Sequence, residues 1–110
     1  MRRIVFQIIS SWHHGRGSKY TRKGNFERAL EHFRAALEYA LRSDNESSIP
    51  IEMECISRTL VRLRDYEQAE EYASESLARY RKLQKAGAIF DEGAKRVTEL
   101  MKVIEKRGLV

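Results

Sequence analysis

Two stretches of this chain, offset by 40 residues, carry one pattern, and that repetition constrains the fold more than any other feature. Residues 24–37 (GNFERALEHFRAAL) and 64–77 (RDYEQAEEYASESL) share a polar turn, an aromatic (Phe26, Tyr66), a glutamate (Glu27, Glu67), a small residue (Ala29, Ala69) and a leucine (Leu37, Leu77). A supersecondary unit that recurs buries its apolar face against the next copy, so a stack of like units is expected. The alternative is an ordinary closed helical bundle.

The units are helical. Ile4, Val5, Ile8, Ile9 and Trp12 recur at three- and four-residue spacing, which predicts a first helix with these on its apolar face, running to about Lys23 with Tyr20 continuing the stripe. On this reading Trp12 belongs to the core. Gly15 and Gly17 weaken the helix unless they serve close packing, which is the expectation. Gly24-Asn25 reads as a left-handed stop followed by an N-cap. The second helix carries Phe26, Ala29, Leu30, Phe33, Ala36, Leu37, Ala40 and Leu41 on one side and charges on the other. Residues 42–48 hold turn formers and nothing apolar beyond the stem of Arg42, so a loop is expected there. Ile49-Pro50 opens a third helix, because proline is tolerated where the first turn has no amide partner to lose. Asp65 caps a fourth, with Gln68 completing a capping box. Ala86-Gly87 ends it, and Phe90, Ala94, Val97, Leu100, Met101 and Ile104 mark a fifth helix over about 88–107.

The Gly-Asn-Phe turn with Ala29, Phe33 and Ala36, matched more loosely by Ala69, Ala73 and Ser76, resembles the second helix of the tetratricopeptide repeat. Gly17 with Tyr20, and Ser57 with Leu60, resemble the small-then-large pair of that family's first helix. The resemblance implies an all-α chain of about five helices, antiparallel hairpins stacked as a short right-handed α-solenoid. Its single domain spans 1–110, with repeat one about 10–42, repeat two about 49–86 and a C-terminal helix. The offset of 40 exceeds the family's usual 34. His13 and Arg16 also stand where the first copy should be large and apolar.

Charge is distributed unevenly. Residues 1–24 contain six basic residues and no acid, for +6, whereas the remainder sums to −1. An anionic partner meets that end first. Cys55 is the only cysteine, which excludes an intramolecular disulfide and points to a reducing compartment. The early apolar stretch falls far short of the ~20 residues a membrane span needs and lacks a small-residue cleavage site. A cytoplasmic protein with no membrane partner is the expectation.

Enzymatic signatures are missing from the sequence. Gly15-Arg-Gly17 is not a phosphate loop, and none of the fourteen arginines is followed by histidine five positions on, the spacing of a helical ribonuclease class. His13 and His14 point about 100° apart on a helix, and His32 is isolated among charged neighbours, so no metal or cofactor is expected. Cys55 reads as packing, and the pairs Glu52 and Glu54, Asp91 and Glu92 read as solvated charges. What remains is a non-enzymatic module binding a protein or peptide. The resemblance implies a groove built from His14, Ser18, Arg22, Glu54, Arg58, Arg62 and Lys95, basic enough to favour an acidic segment. The family members that clamp chaperone tails carry lysine and asparagines where this chain has His14, Ser18 and Cys55. Two alternatives are nucleic-acid binding through the basic N-terminal region, with Trp12 and Tyr20 stacking on bases, and self-association as a homo-oligomer through the first or fifth helix.

Overall fold

A computed structural model of the chain describes residues 1–108; Leu109 and Val110, the last two of the expected domain, lie outside the described residues. The described chain is all helical: α1 (Arg2–Arg22), α2 (Phe26–Arg42), α3 (Ile49–Arg62), α4 (Tyr66–Leu83), a short 3-10 turn (Gln84–Ala86) and α5 (Ala88–Gly108). The 3-10 turn is the one departure from the expected boundaries, because α4 tightens at Leu83 rather than running on to Ala86. Each helix packs chiefly on its neighbours in sequence, and α3 also touches α5. The molecule is flattened, 48 × 34 × 19 Å.

Three helix ends share one device at 20-residue intervals. Gly24, Asp44 and Arg64 all take positive φ, at 77°, 52° and 62°. At each, two amides fold back onto carbonyls of the last turn: Gly24 and Asn25 onto Thr21 and Tyr20, Asp44 and Asn45 onto Leu41 and Ala40, Arg64 and Asp65 onto Val61 and Leu60. This pairing satisfies carbonyls a helix end otherwise leaves bare. Asn25 and Asp65 then accept from the backbone amides of Arg28 and Gln68, capping α2 and α4 in the same way.

The repeat extends into the packing. The Ser10 hydroxyl of α1 donates to the Ala36 carbonyl of α2 at 2.8 Å, and Ser76 of α4 donates to the Pro50 carbonyl of α3 at 2.8 Å. The two crossings join positions 10 to 36 and 50 to 76, equivalent pairs with the donor on opposite helices. Ala29, Ala36, Ala40, Ala69 and Ala73 are completely buried. Such small residues let backbones approach closely while larger neighbours fill the flanking space.

Close packing of Gly17 occurs as expected: a Cβ there would lie 2.7 Å from the Phe33 ring. Gly15 serves no such contact, since a Cβ there meets nothing within 4 Å. The buried face of α1 differs from the predicted stripe. Ser10 and Gly17 are the buried positions, flanked by half-buried Phe6, Ile9, His13 and Tyr20. Ile4, Val5, Ile8 and Trp12 are more than half exposed, so Trp12 is not core. The small residues decide this rotation: seating Gly17 on Phe33 and Ser10 on Ala36 turns the aliphatic ridge outward.

Arg64 adopts a backbone conformation that glycine alone adopts without cost, roughly 1 kcal/mol cheaper than other residues. Arg64→Gly should raise the melting temperature by about 4 °C. Gly24→Ala should lower it similarly, because a Cβ at Gly24 meets no neighbour and only the backbone term changes. Thermal unfolding followed by circular dichroism checks both.

Candidate functional site

Thr21 near the end of α1, Phe26 at the start of α2, the carboxyl-terminal half of α3 and the body of α5 line a cleft of about 680 Å³ on one side of the molecule. Five cations stand in its wall, Arg58, Arg62, Lys95, Arg96 and Arg107, against one acid, Glu99. An adjoining recess of about 310 Å³ shares Thr21, Arg58 and Thr59 and adds Ser18, Arg22 and Cys55. Arg22, Arg62 and Arg107 lie in the last turns of their helices, where positive charge offsets the partial negative charge of the helix end. Arg62 also lies over the Phe26 ring, 5.6 Å from its centroid. Of the seven residues predicted for a groove, five line this surface: Ser18, Arg22, Arg58, Arg62 and Lys95.

Glu54 is the correction among the seven. The resemblance implies an exposed groove position, yet its side chain is only 8% exposed. The Tyr80 hydroxyl donates to Glu54 Oε1 at 2.8 Å, Arg96 donates to both carboxylate oxygens at 3.0 and 3.2 Å, and Arg58 donates from one turn along α3. Burial pushes the Glu54 carboxyl up, but the hydrogen bonds from Arg96 and Tyr80, the Arg96 charge and the Arg58 bond outweigh it and hold it below the usual carboxylate range. Burial and the facing carboxylate push the Tyr80 phenol upward. Tyr80 reaches this place because its ring lies against Gly93 of α5, where a Cβ would come within 2.3 Å of it. Glu54 therefore joins α3, α4 and α5 behind the cleft instead of offering a ligand contact.

His14 sits apart from the cleft and holds the second buried acid. Its Nδ1 lies 2.9 Å from Glu52 Oε1, and the Glu52 side chain is 5% exposed. The reading of Glu52 and Glu54 as solvated charges fails for both, since each is covered by a helix that periodicity alone does not place. The hydrogen bond to Glu52 raises the His14 pKa, against partial burial. Cys55 joins them in a trio whose donor atoms lie within 4.8 Å of one another. Burial, with Glu52 and Glu54 adding, pushes the Cys55 thiol up to about 12, which keeps it protonated and a poor nucleophile.

His32 is not isolated. Its Nδ1 lies 3.0 Å from His13 Nδ1, and its ring stacks on Tyr20 at 5.5 Å and meets Trp12 edge-on at 5.9 Å. Each ring of the histidine pair must be in a different tautomer, one donating and one accepting. Burial, with His32 adding, lowers the His13 pKa. His13 thus fills with an aromatic cluster the place where a large apolar residue was expected.

Sequence reasoning missed Arg96 and Arg107 in the cleft. The register of α5 relative to α3 brings them there, and a single apolar stripe on α5 does not specify it. No protein-family model, curated protein or solved structure matches the chain.

Replacing the carboxylate by an amide leaves two guanidinium groups and a phenol competing for one weaker acceptor. Glu54→Gln should cost about 2–3 kcal/mol in chemical denaturation. The folded pKa of Glu54 is depressed, so its contribution is present above the ordinary carboxylate range and lost on acidification. The parent should lose more stability than the variant as pH falls. His14 works in the other direction: its raised pKa contributes stability fully present below about pH 6.5 and lost as pH rises through the folded value. Melts at about pH 6 and pH 8 should show the advantage of the parent over His14→Gln shrinking at the higher pH. His13 has the opposite sense and is common to both proteins, so the difference isolates His14.

Proposed function

We propose that this chain is a short helical-repeat binding module of tetratricopeptide-like stacking, and that it takes an acidic peptide segment in the cleft shared by α1, α3 and α5. The observation that carries the reading is the lining itself. Apart from Phe26 and Phe33 of α2, the lining comes from alternate helices of the chain, as stacked hairpins require of their first helices. Counting the buried Glu54 and the rim acid Glu99 against the five cations, the wall keeps an excess of three positive charges. Arg58 and Arg96 are each about half exposed, so their outward N–H groups remain available while Glu54 orients the guanidinium planes. Guanidinium held in place by a buried carboxylate loses little freedom on binding a second one, which suits a bidentate clamp on an aspartate, glutamate or terminal carboxylate. Leu100, Val103 and Val61 supply an apolar floor between the charges.

The substitutions that test this must spare the Glu54 network, which excludes Arg58 and Arg96. Titration calorimetry with a glutamate-rich peptide should give binding that weakens at least about tenfold in the Arg22→Glu, Arg62→Glu double variant. A glutamine-rich control peptide should not bind. Equal affinity of parent and double variant would sink the reading, as would an RNA oligonucleotide outcompeting the peptide at physiological salt.

A further inference from the structure

Two surfaces lie outside the basic cleft and complement each other. The first is the ridge on α1. Ile4, Val5, Ile8 and Trp12 are 60%, 51%, 64% and 57% exposed, although they lie within one 21-residue helix that packs on α2 by its opposite side. Among the described residues Arg2 and Lys19 are the unpaired cations beside the ridge, Arg3 being turned to Asp44 at 3.0 Å, and no acid occurs in residues 1–24. The second lies at the other end of the helix order. Between the start of α4 and the end of α5 runs a slot of about 500 Å³ with Tyr66, Met101 and Ile104 as its apolar part. Glu67, Glu70 and Glu105 rim it, with no base among the described residues that line it.

We propose that copies of this chain associate head to tail, the α1 ridge of one copy seated in the α4–α5 slot of the next, with the cations of α1 against Glu67 and Glu70. Charge selects this arrangement over a ridge-on-ridge dimer. Two α1 helices facing each other set cations against cations with no acid from either helix, whereas ridge on slot sets cations against carboxylates around an apolar centre. An exposed apolar ridge of this kind marks an interaction surface. The contact uses different patches on the two partners, so each added copy presents a fresh ridge and a fresh slot. Association is then open-ended unless the rotation closes a ring. The basic cleft takes no part in it.

Two variants separate the outcomes, each altering exposed positions on one surface only. Ile4→Ser, Ile8→Ser strips the ridge and leaves the slot; Glu67→Lys, Glu70→Lys spoils the slot and leaves the ridge. In sedimentation velocity over a concentration series, the parent should grow in mass beyond a dimer, less so at high salt. Each variant alone should be monomeric with the helical circular dichroism of the parent. An equimolar mixture should stop at a dimer, because one variant supplies the intact ridge and the other the intact slot. A parent that stays monomeric up to millimolar concentration overturns the proposal. So does a slot variant that still dimerises by itself, which is the signature of ridge-on-ridge pairing, or a mixture that remains monomeric.

Discussion

Everything on the cleft side of this molecule depends on one buried carboxylate. Glu54 accepts from Tyr80 on α4, from Arg96 on α5 and from Arg58 on its own helix, so three helices meet at a single side chain. A charge taken out of water is tolerated only where its partners replace the lost hydration. Here the phenol and two guanidinium groups do so, and the requirement fixes how α5 lies on the α3–α4 pair. The same bonds hold Arg58 and Arg96 with their free edges toward solvent. Structural support and the electrostatic character of the cleft are therefore one arrangement of atoms.

The rest of the fold rests on small residues at helix crossings. Gly17 under Phe33 and Gly93 under Tyr80 are places where a methyl group would overlap an aromatic ring. Ser10 and Ser76 add hydroxyl-to-carbonyl bonds at equivalent crossings, which satisfies a buried polar group on each side. Where such residues lie on a helix decides which side turns inward, and on α1 they outweigh the aliphatic residues. The consequence is an outward ridge at one end of the helix order and an acidic slot at the other, apart from the cleft between α1, α3 and α5.

Much of the secondary structure was legible because its signals are local. The caps at Asn25 and Asp65, the left-handed stop at Gly24, the proline that opens α3 and the apolar periods of α2 and α5 each depend on residues within one or two turns. Asp44 and Arg64 were not legible as left-handed stops, since aspartate and arginine carry no such preference as strong as glycine's; the Schellman pairing at those ends imposes the conformation. Five residues of the predicted groove line one surface, because a 40-residue repeat places equivalent positions of α1 and α3 side by side. Glu54, Arg96 and Arg107 escaped because their roles require the register of α5 on α3.

By itself, then, the sequence determined the helices, their ends, the internal repeat and the concentration of positive charge in the first 24 residues. These follow from backbone chemistry and from spacing along the chain, which need no partner. Tertiary structure alone decided which face of α1 is buried, that Glu52 and Glu54 are paired acids inside the molecule, and that His32 meets His13. Each of those outcomes depends on how closely two helices approach and at what rotation. That is settled by side-chain volumes from distant parts of the chain competing for the same space, and no local pattern contains it.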